Sequence, residues 1–153
     1  MIGDVDVKSK PVYFYVQRQS SFSDSTITIP YDLAIVNIGN AIVESSGVFT
    51  APVKGRYFFS FSGLVHFTDA GSFWISLMKN GIQQDGSSAV IQPATGESFI
   101  PVTLQATLDL LPGNTIAMQI TNALNQALVN SELFDSVDPY THFTGYLLEQ
   151  DFS

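Results

Sequence analysis

A long alternating run between Gly55 and Asp69 constrains the fold of this chain more than any other segment. Every second position in the run is apolar or glycine, and the set comprises Tyr57, Phe59, Phe61, Gly63, Val65 and Phe67. A period of two places these residues on one face of a β-strand, because successive side chains point to opposite faces. Breakers bound the run on both sides. A face that carries so many large rings needs a thick apolar interior, which predicts a β-sandwich.

The rest of the chain also consists of short runs separated by turn residues. The predicted strands are Val12–Gln17, Thr26–Ile29, Gly47–Ala51, Arg56–Phe67, Phe73–Met78, Ile82–Gln92, Phe99–Leu110, Thr115–Thr121 and Thr141–Glu149. The predicted turns lie at Asn80-Gly81, Asp85-Gly86, Pro93 to Gly96 and Pro112-Gly113. No amphipathic helix is evident, and residues 122–134 favour a long loop with a short strand. This pattern predicts an all-β fold, a jelly-roll β-sandwich of about ten strands.

Two of the predicted strands carry large apolar side chains on both faces. Phe58 belongs to the second face of the alternating run, and Tyr146 and Leu148 face away from Phe143 near the C-terminus. His142 shares the face of Tyr146. A sheet with one solvated face would alternate apolar with polar residues, so a second apolar face needs a cover. We expect the cover to be a neighbouring subunit that contacts Phe58, His142, Tyr146 and Leu148; the alternative is a long loop of the same chain.

Aromatic residues and glycines precede the alternating run at fixed intervals. Tyr31 lies six residues before Asn37, Ile42 lies five residues after it, and Phe49 follows seven residues later and leads to Gly55. This spacing resembles that of the globular head of the complement component 1q family, whose fold is similar to that of tumour necrosis factor. Ile42 stands where the family usually has an aromatic residue.

Three further blocks support the resemblance and occur in the family's order. They are Leu77 to Gly81, Leu108 to Gly113 and Phe143 to Leu148. Asn114 departs from the family pattern, which commonly has an aspartate after the Pro-Gly turn. Together the blocks span about Tyr13 to Leu148, nearly the whole chain.

The resemblance implies a trimeric, tumour-necrosis-factor-like head domain over residues 11–153, preceded by a flexible N-terminal segment over residues 1–10. It implies a non-enzymatic homotrimer that recognises polyvalent ligands, such as glycans or receptors, through weak sites multiplied by avidity. A lectin-like head for pattern recognition in innate immunity fits this implication. Two alternatives stay open: a receptor ligand of the tumour-necrosis-factor type, which would use grooves between subunits, and a structural or adhesive trimer.

The charge of the chain excludes some partners. Fourteen acidic and six basic residues give a formal net charge of −8, which repels the phosphate backbone of a nucleic acid. Membrane insertion is not expected, because no run approaches the ~20 apolar residues of a membrane span. The chain has no cysteine, which excludes thiol catalysis, thiolate metal sites and a disulfide framework.

The resemblance implies a secreted, extracellular protein, because the family is usually secreted. The first ten residues lack the apolar core of a signal peptide, and the Gly-X-Y triplets of a collagen stalk are missing. An intracellular location therefore stays open.

Catalysis is not expected from the two histidines of the chain. His66 and His142 both lie inside predicted strands, and a histidine-based catalytic site also needs a positioned carboxylate and a nucleophile. The common nucleophile, zinc and phosphate-loop motifs are absent from the sequence. We therefore expect a protein that is not an enzyme.

Calcium is the metal to consider. Some relatives of the family bind calcium near the apex of the trimer, and Glu132, Asp135 and Asp138 form the acidic group of one predicted loop. Calcium takes about six to eight oxygen ligands, and these acids lack the regular spacing of a calcium loop. We expect no cofactor and keep calcium at these three residues as the alternative.

The longest predicted loop combines amide and aromatic side chains. The candidate ligand-binding residues in it are Asn122, Asn125, Gln126, Asn130, Phe134 and Tyr140. Amides beside rings suit sugars, whose hydroxyl groups need paired donors and acceptors and whose apolar faces stack on aromatic rings. The alternative is an ordinary loop anchored by its own aromatic residues.

Overall fold

The structure is a computed structural model that describes residues 10–69, 71–93, 96–121 and 131–153. In these ranges the chain forms strands and no helix. The strands are β1 (Tyr13–Gln17), β2 (Leu33–Ile38), β3 (Ile42–Val43), β4 (Val48–Thr50), β5 (Gly55–Phe67), β6 (Phe73–Lys79), β7 (Ile82–Ile91), β8 (Ser98–Leu110), β9 (Thr115–Ile120), β10 (Ser131–Phe134) and β11 (His142–Gln150). The prediction of an all-β chain is confirmed, and the expected flexible segment lies outside the described residues apart from Lys10.

The strands form two antiparallel sheets. In the front sheet, β8 pairs with β5 along its whole length, β11 and β10 pair with successive parts of β5, and β1 and β2 follow β11. The back sheet has the order β3-β4-β9-β6-β7. The sheets pack face to face, as predicted for a sandwich.

The interior between the sheets is mostly aromatic. The inward face of β5 is buried at every position predicted from the alternation. The ring of Phe14 from β1 lies 5.0 Å from that of Phe143 and 5.5 Å from that of Phe49, between centroids. Each buried ring contributes about 2 kcal/mol through removal of its surface from water. The core therefore depends on contacts between strands that are far apart in sequence.

Several local predictions were wrong. Residues 26–29 were predicted to form a strand, but the described structure has only one bridge there, between Thr28 and Gln119. The turn predicted at Asp85-Gly86 lies inside β7, where the pairing jumps from Ser88 to Gln83 and forms a bulge. Strands β2 and β3 were not predicted, whereas β10 is the short strand expected within 122–134.

The sandwich has two distinct ends, defined by the direction of β5. At its start, Gly55 pairs with Leu110 and Gln150, and the side chain of Gln150 accepts a hydrogen bond from the Lys10 N–H at 2.9 Å. This proximal end holds both ends of the described chain. At the distal end, Phe67 pairs with strands β8 and β10.

Candidate functional site

The outer face of the front sheet carries a strip of large apolar side chains near the proximal end. This strip, the proximal row, consists of the cross-strand neighbours Ile38, Tyr13, Tyr146 and Phe58. The ring of Tyr146 lies 6.2 Å from that of Tyr13 and 5.4 Å from that of Phe58. Tyr13 is 37% exposed and Ile38 is 48% exposed. A single copy of the chain thus presents a continuous apolar strip to water.

His142 lies on the same outer face, further from the proximal end. Its Nδ1 is 2.7 Å from the hydroxyl of Tyr15 and 3.3 Å from Nε2 of Gln17. Gln17 also donates to the Tyr15 hydroxyl at 2.8 Å. His142 is therefore held by polar neighbours, with no carboxylate among these hydrogen-bond partners.

Three of the four predicted interface residues, Phe58, His142 and Tyr146, are brought onto one face by the register of β5 and β11. The fourth, Leu148, lies where that register shifts, so it has no cross-strand partner on β5. It remains 49% exposed, next to the half-buried Leu147 that packs against the core.

A second group of rings lies at the distal end of the same face. This group, the distal cluster, consists of His66, Phe99, Phe134 and Tyr140. His66 stacks on Phe99 with 4.4 Å between ring centroids, and Phe134 packs edge-on against both rings. Tyr140 lies 5.6 Å from Phe134. Both ligand candidates of the described chain, Phe134 and Tyr140, are thus in contact.

The environment of His66 is partly polar. Its Nδ1 is 3.6 Å from a carboxylate oxygen of Glu132, and its Nε2 is buried without a hydrogen-bond partner in the described part of the chain. Phe99, which stacks on it, is 49% exposed. Sequence reasoning missed Phe99, although a large ring on a face of β8 that carries polar residues from Thr103 to Asp109 was a signal that could have found it.

Asp135 is a buried structural residue in this geometry. Its Oδ1 accepts the N–H groups of Tyr140 and Thr141 at 2.7 and 2.9 Å, and its Oδ2 accepts the Thr141 hydroxyl at 2.5 Å. Burial raises the pKa of this carboxyl, while the Thr141 hydroxyl, both N–H groups and the Arg18 charge oppose the rise. Both carboxylate oxygens are therefore occupied in holding the loop that carries Tyr140.

The calcium candidates do not form an evident metal centre. Among the described residues, no three His, Asp or Glu side chains are grouped closely enough to hold a metal ion. Asp135 is committed to its loop, Glu132 lies beside His66, and the N–H of Asp138 donates to the Ser136 hydroxyl at 3.2 Å. The remaining candidate ligand-binding residues, Asn122, Asn125, Gln126 and Asn130, lie outside the described residues.

A cavity of about 520 Å³ lies at the proximal end. Two ion pairs line it, one between Lys54 and Asp151 at 3.2 Å and one between Arg56 and Asp109 at 3.0 Å. The exposed Phe152 completes the wall. Four of the charged groups that line this cavity are therefore paired with one another.

A family model for the C1q domain matches residues 13–148. The chain belongs to the C1q-domain family. Complement C1q tumor necrosis factor-related protein 6 of Mus musculus is 24% identical over 140 residues, which are 90% of this chain and 50% of that protein. The chain thus spans about half the length of this relative.

A solved structure is similar over almost the whole chain. The globular domain of zebrafish complement 1qA protein superposes with a TM-score of 0.65 at 17% identity, over 92% of this chain and 99% of that one. At this identity the likeness shows the fold, which confirms the predicted jelly roll. C1q domains are in general non-enzymatic binding modules. No helix in the described residues is long and apolar enough to span a membrane.

Proposed function

We propose that this C1q domain is a secreted homotrimer that recognises polyvalent ligands, a lectin-like head of innate immunity. The main observation in support of a trimer is the proximal row. This row is a continuous apolar strip on a sheet face, and a monomer would leave it exposed to water. Contiguous exposed apolar patches are uncommon on monomeric proteins and mark interaction sites. The family supports the proposal, since C1q domains form oligomers in general.

A closed ring of three copies removes this strip from water on every copy. In such a ring the same two surfaces meet at each contact, and the rotation closes the assembly. Phe58, His142, Tyr146 and Leu148 are the proposed contact residues. Burying the proximal row would add to stability in proportion to its apolar area, at about 25 cal/mol per Å².

The centre of the outer face is compatible with close packing between copies. Between the proximal row and the distal cluster, β5 and β11 present the short hydroxyl side chains of Ser60, Ser62 and Thr144. Short side chains let a neighbouring strand approach, and the Tyr15, Gln17 and His142 group already pairs its polar atoms. A neighbour could therefore cover this region without leaving many polar groups unpaired.

Ligand recognition is proposed for the distal end. A threefold arrangement places three equivalent distal ends on one side of the assembly, so weak sites gain affinity for a repeated surface such as a glycan or a clustered receptor. Phe134 and Tyr140 are the proposed ligand contacts in the described chain, together with Asn122, Asn125, Gln126 and Asn130. Their role follows from side-chain chemistry and, for the two rings, from their shared cluster.

The assembly is tested by a charge placed in the proximal row. Phe58→Asp would put a carboxylate in the middle of the proposed contact, where burial of an unpaired charge is unfavourable. We expect light scattering to give a trimer for the native chain and a monomer of 16.7 kDa for this variant. Val43→Asp is the matched control, because Val43 is 57% exposed on the back sheet. Equal masses for the native chain and both variants would contradict the proposed contact.

A further inference from the structure

The turn between β6 and β7 contains a chemically labile pair of residues. Asparagine is thermolabile, because the backbone nitrogen of the next residue can attack its side-chain carboxamide. A side chain on that next residue shields the nitrogen, and glycine has none. Of the asparagines in the sequence, Asn80 alone is followed by glycine. The local chemistry therefore favours Asn80 as the asparagine that reacts first.

The structure leaves this pair accessible. Asn80 and Gly81 are both exposed at the tip of the turn. A Cβ atom on Gly81 would meet nothing within 4 Å among the described residues. The turn belongs to the back sheet, whereas the proposed subunit contact lies on the front sheet. Base and water can therefore reach the pair in a single copy and in the proposed trimer.

Two hydrogen bonds hold Asn80 against the start of β9. Its N–H donates to the C=O of Thr115 at 2.9 Å, and its Oδ1 accepts the N–H of Thr115 at 2.9 Å. This pair of bonds, the Thr115 clamp, fixes the position of the carboxamide. The carbon of the carboxamide has to move to the Gly81 nitrogen before a bond can form, so the clamp opposes the attack.

We propose that Asn80 is a site of spontaneous deamidation and that the Thr115 clamp limits its rate. The Gly81 nitrogen gives its proton to base and bonds to Cγ of Asn80. The bond from Cγ to Nδ2 breaks, ammonia leaves with a proton from water, and a five-membered succinimide remains. Water then adds to either carbonyl carbon of the ring and opens it, which gives aspartate or isoaspartate.

The two products differ in their effect on the turn. Both replace a neutral carboxamide with a carboxylate, which makes the formal net charge of −8 more negative by one unit. Isoaspartate also adds one carbon atom to the main chain between Lys79 and Ile82, which pair across the turn. The length of a two-residue turn sets the register of its strands. Isoaspartate should therefore loosen this hairpin more than aspartate does.

The site is tested by incubation of the folded full chain at mildly alkaline pH. Peptide mapping by mass spectrometry locates each deamidated residue, and ion exchange separates the chains that have gained a charge. We expect Asn80 to react before any other asparagine, with both isoaspartate and aspartate as products. Earlier reaction at another asparagine would overturn the inference. Aspartate without isoaspartate would also overturn it, because opening of the ring gives both.

The clamp is tested by a parallel sample in urea above the unfolding midpoint. Unfolding breaks both hydrogen bonds, so we expect Asn80 to react at least about tenfold faster there. In the same urea, Gly81→Ala should slow the reaction several-fold, since its side chain shields the attacking nitrogen and turn strain has no effect. Equal rates for the folded and unfolded native chain would overturn the role of the clamp.

A variant separates the clamp from the general rigidity of the turn. Thr115→Pro removes the N–H that Asn80 accepts, at the first residue of β9, where a sheet tolerates proline. We expect the folded variant to deamidate about fivefold faster, the order of one lost hydrogen bond. Thr115→Val keeps the N–H and is the matched control, with the native rate expected. Equal rates for two folded variants would overturn the inference, and the urea comparison decides if Thr115→Pro does not fold.

Discussion

Asp135 connects the end of β10 to the start of β11 through one buried carboxylate. Three donors from Tyr140 and Thr141 converge on this carboxylate. The residue Asp135 as a whole is only 6% exposed. The sequence left Asp135 open as an alternative calcium ligand, because loop acids resemble metal ligands in composition. Burial and hydrogen-bond partners, which decide between the two roles, depend on the folded chain.

Replacement of Asp135 tests this structural role. Asp135→Ala would leave the buried N–H of Thr141 and its hydroxyl without their acceptor, and we expect a loss of about 3 kcal/mol in the free energy of unfolding. Asp135→Asn keeps an oxygen acceptor for both N–H groups and should lose less than about 1 kcal/mol. Urea denaturation measures both. Equal losses for the two variants would contradict a role that depends on the acceptor.

The pKa of Asp135 predicts a dependence of stability on pH. Burial raises this pKa above its ordinary value of 3.8, so the folded chain binds the proton more tightly than the unfolded chain does. The contribution to stability is complete below 3.8 and is lost as the pH rises through the folded value. Relative to Asp135→Asn, the native chain should therefore lose stability from acid to neutral pH. Urea denaturation of both proteins over this pH range measures the effect. A native chain that gains stability relative to Asp135→Asn as the pH rises would contradict this sign.

At the scale of the element, β11 packs closely between β1 and β5 at Gly145. A Cβ atom at this position would lie 2.4 Å from Cε2 of Phe14 and 2.7 Å from Cδ1 of Phe59, both in buried rings. We expect Gly145→Ala to lower the free energy of unfolding by about 2 kcal/mol through overpacking. Gly96→Ala is the control, since a Cβ there meets nothing within 4 Å among the described residues. A thermal melt in which the two variants lose equal stability would contradict the close packing.

Elements with strong local chemistry were predictable from the sequence. The alternation in β5 identified its buried face because period two is a property of the strand itself. The Asn80-Gly81 hairpin was predicted because both residues tolerate positive φ, and they adopt φ of 54° and 79°. At Asn114, where the family commonly has an aspartate, the amide oxygen accepts the N–H of Leu111 at 2.8 Å. The turn therefore keeps the acceptor that an acidic side chain would provide.

Elements defined by their neighbours were not predictable in the same way. Strand β2 lacks apolar–polar alternation and lies at a sheet edge, so its sequence gives no period-two pattern. The turn signal at Asp85-Gly86 became a bulge because β6 continues to pair on both sides of it. Gly86 adopts a φ of 74° within the strand. Glycine permits this conformation in a turn and in a bulge, so the sequence alone does not distinguish the two.

At the scale of the whole molecule, the sequence grouped the residues of the candidate assembly face more fully than those of the distal cluster. Phe58 and Tyr146 were placed on an outer face by alternation, and register then brought them into contact. The distal cluster joins residues from β5, β8, β10 and the following loop. Its composition depends on registers between distant strands, so Phe134 and Tyr140 were proposed without His66 and Phe99.

The homotrimer is the central claim, and the mass of the native chain in solution tests it most directly. Light scattering coupled to gel filtration should give about three times 16.7 kDa at neutral pH, because only assembly covers the proximal row on every copy. A stable mass of 16.7 kDa at the same protein concentration would contradict the trimer and the avidity that depends on it.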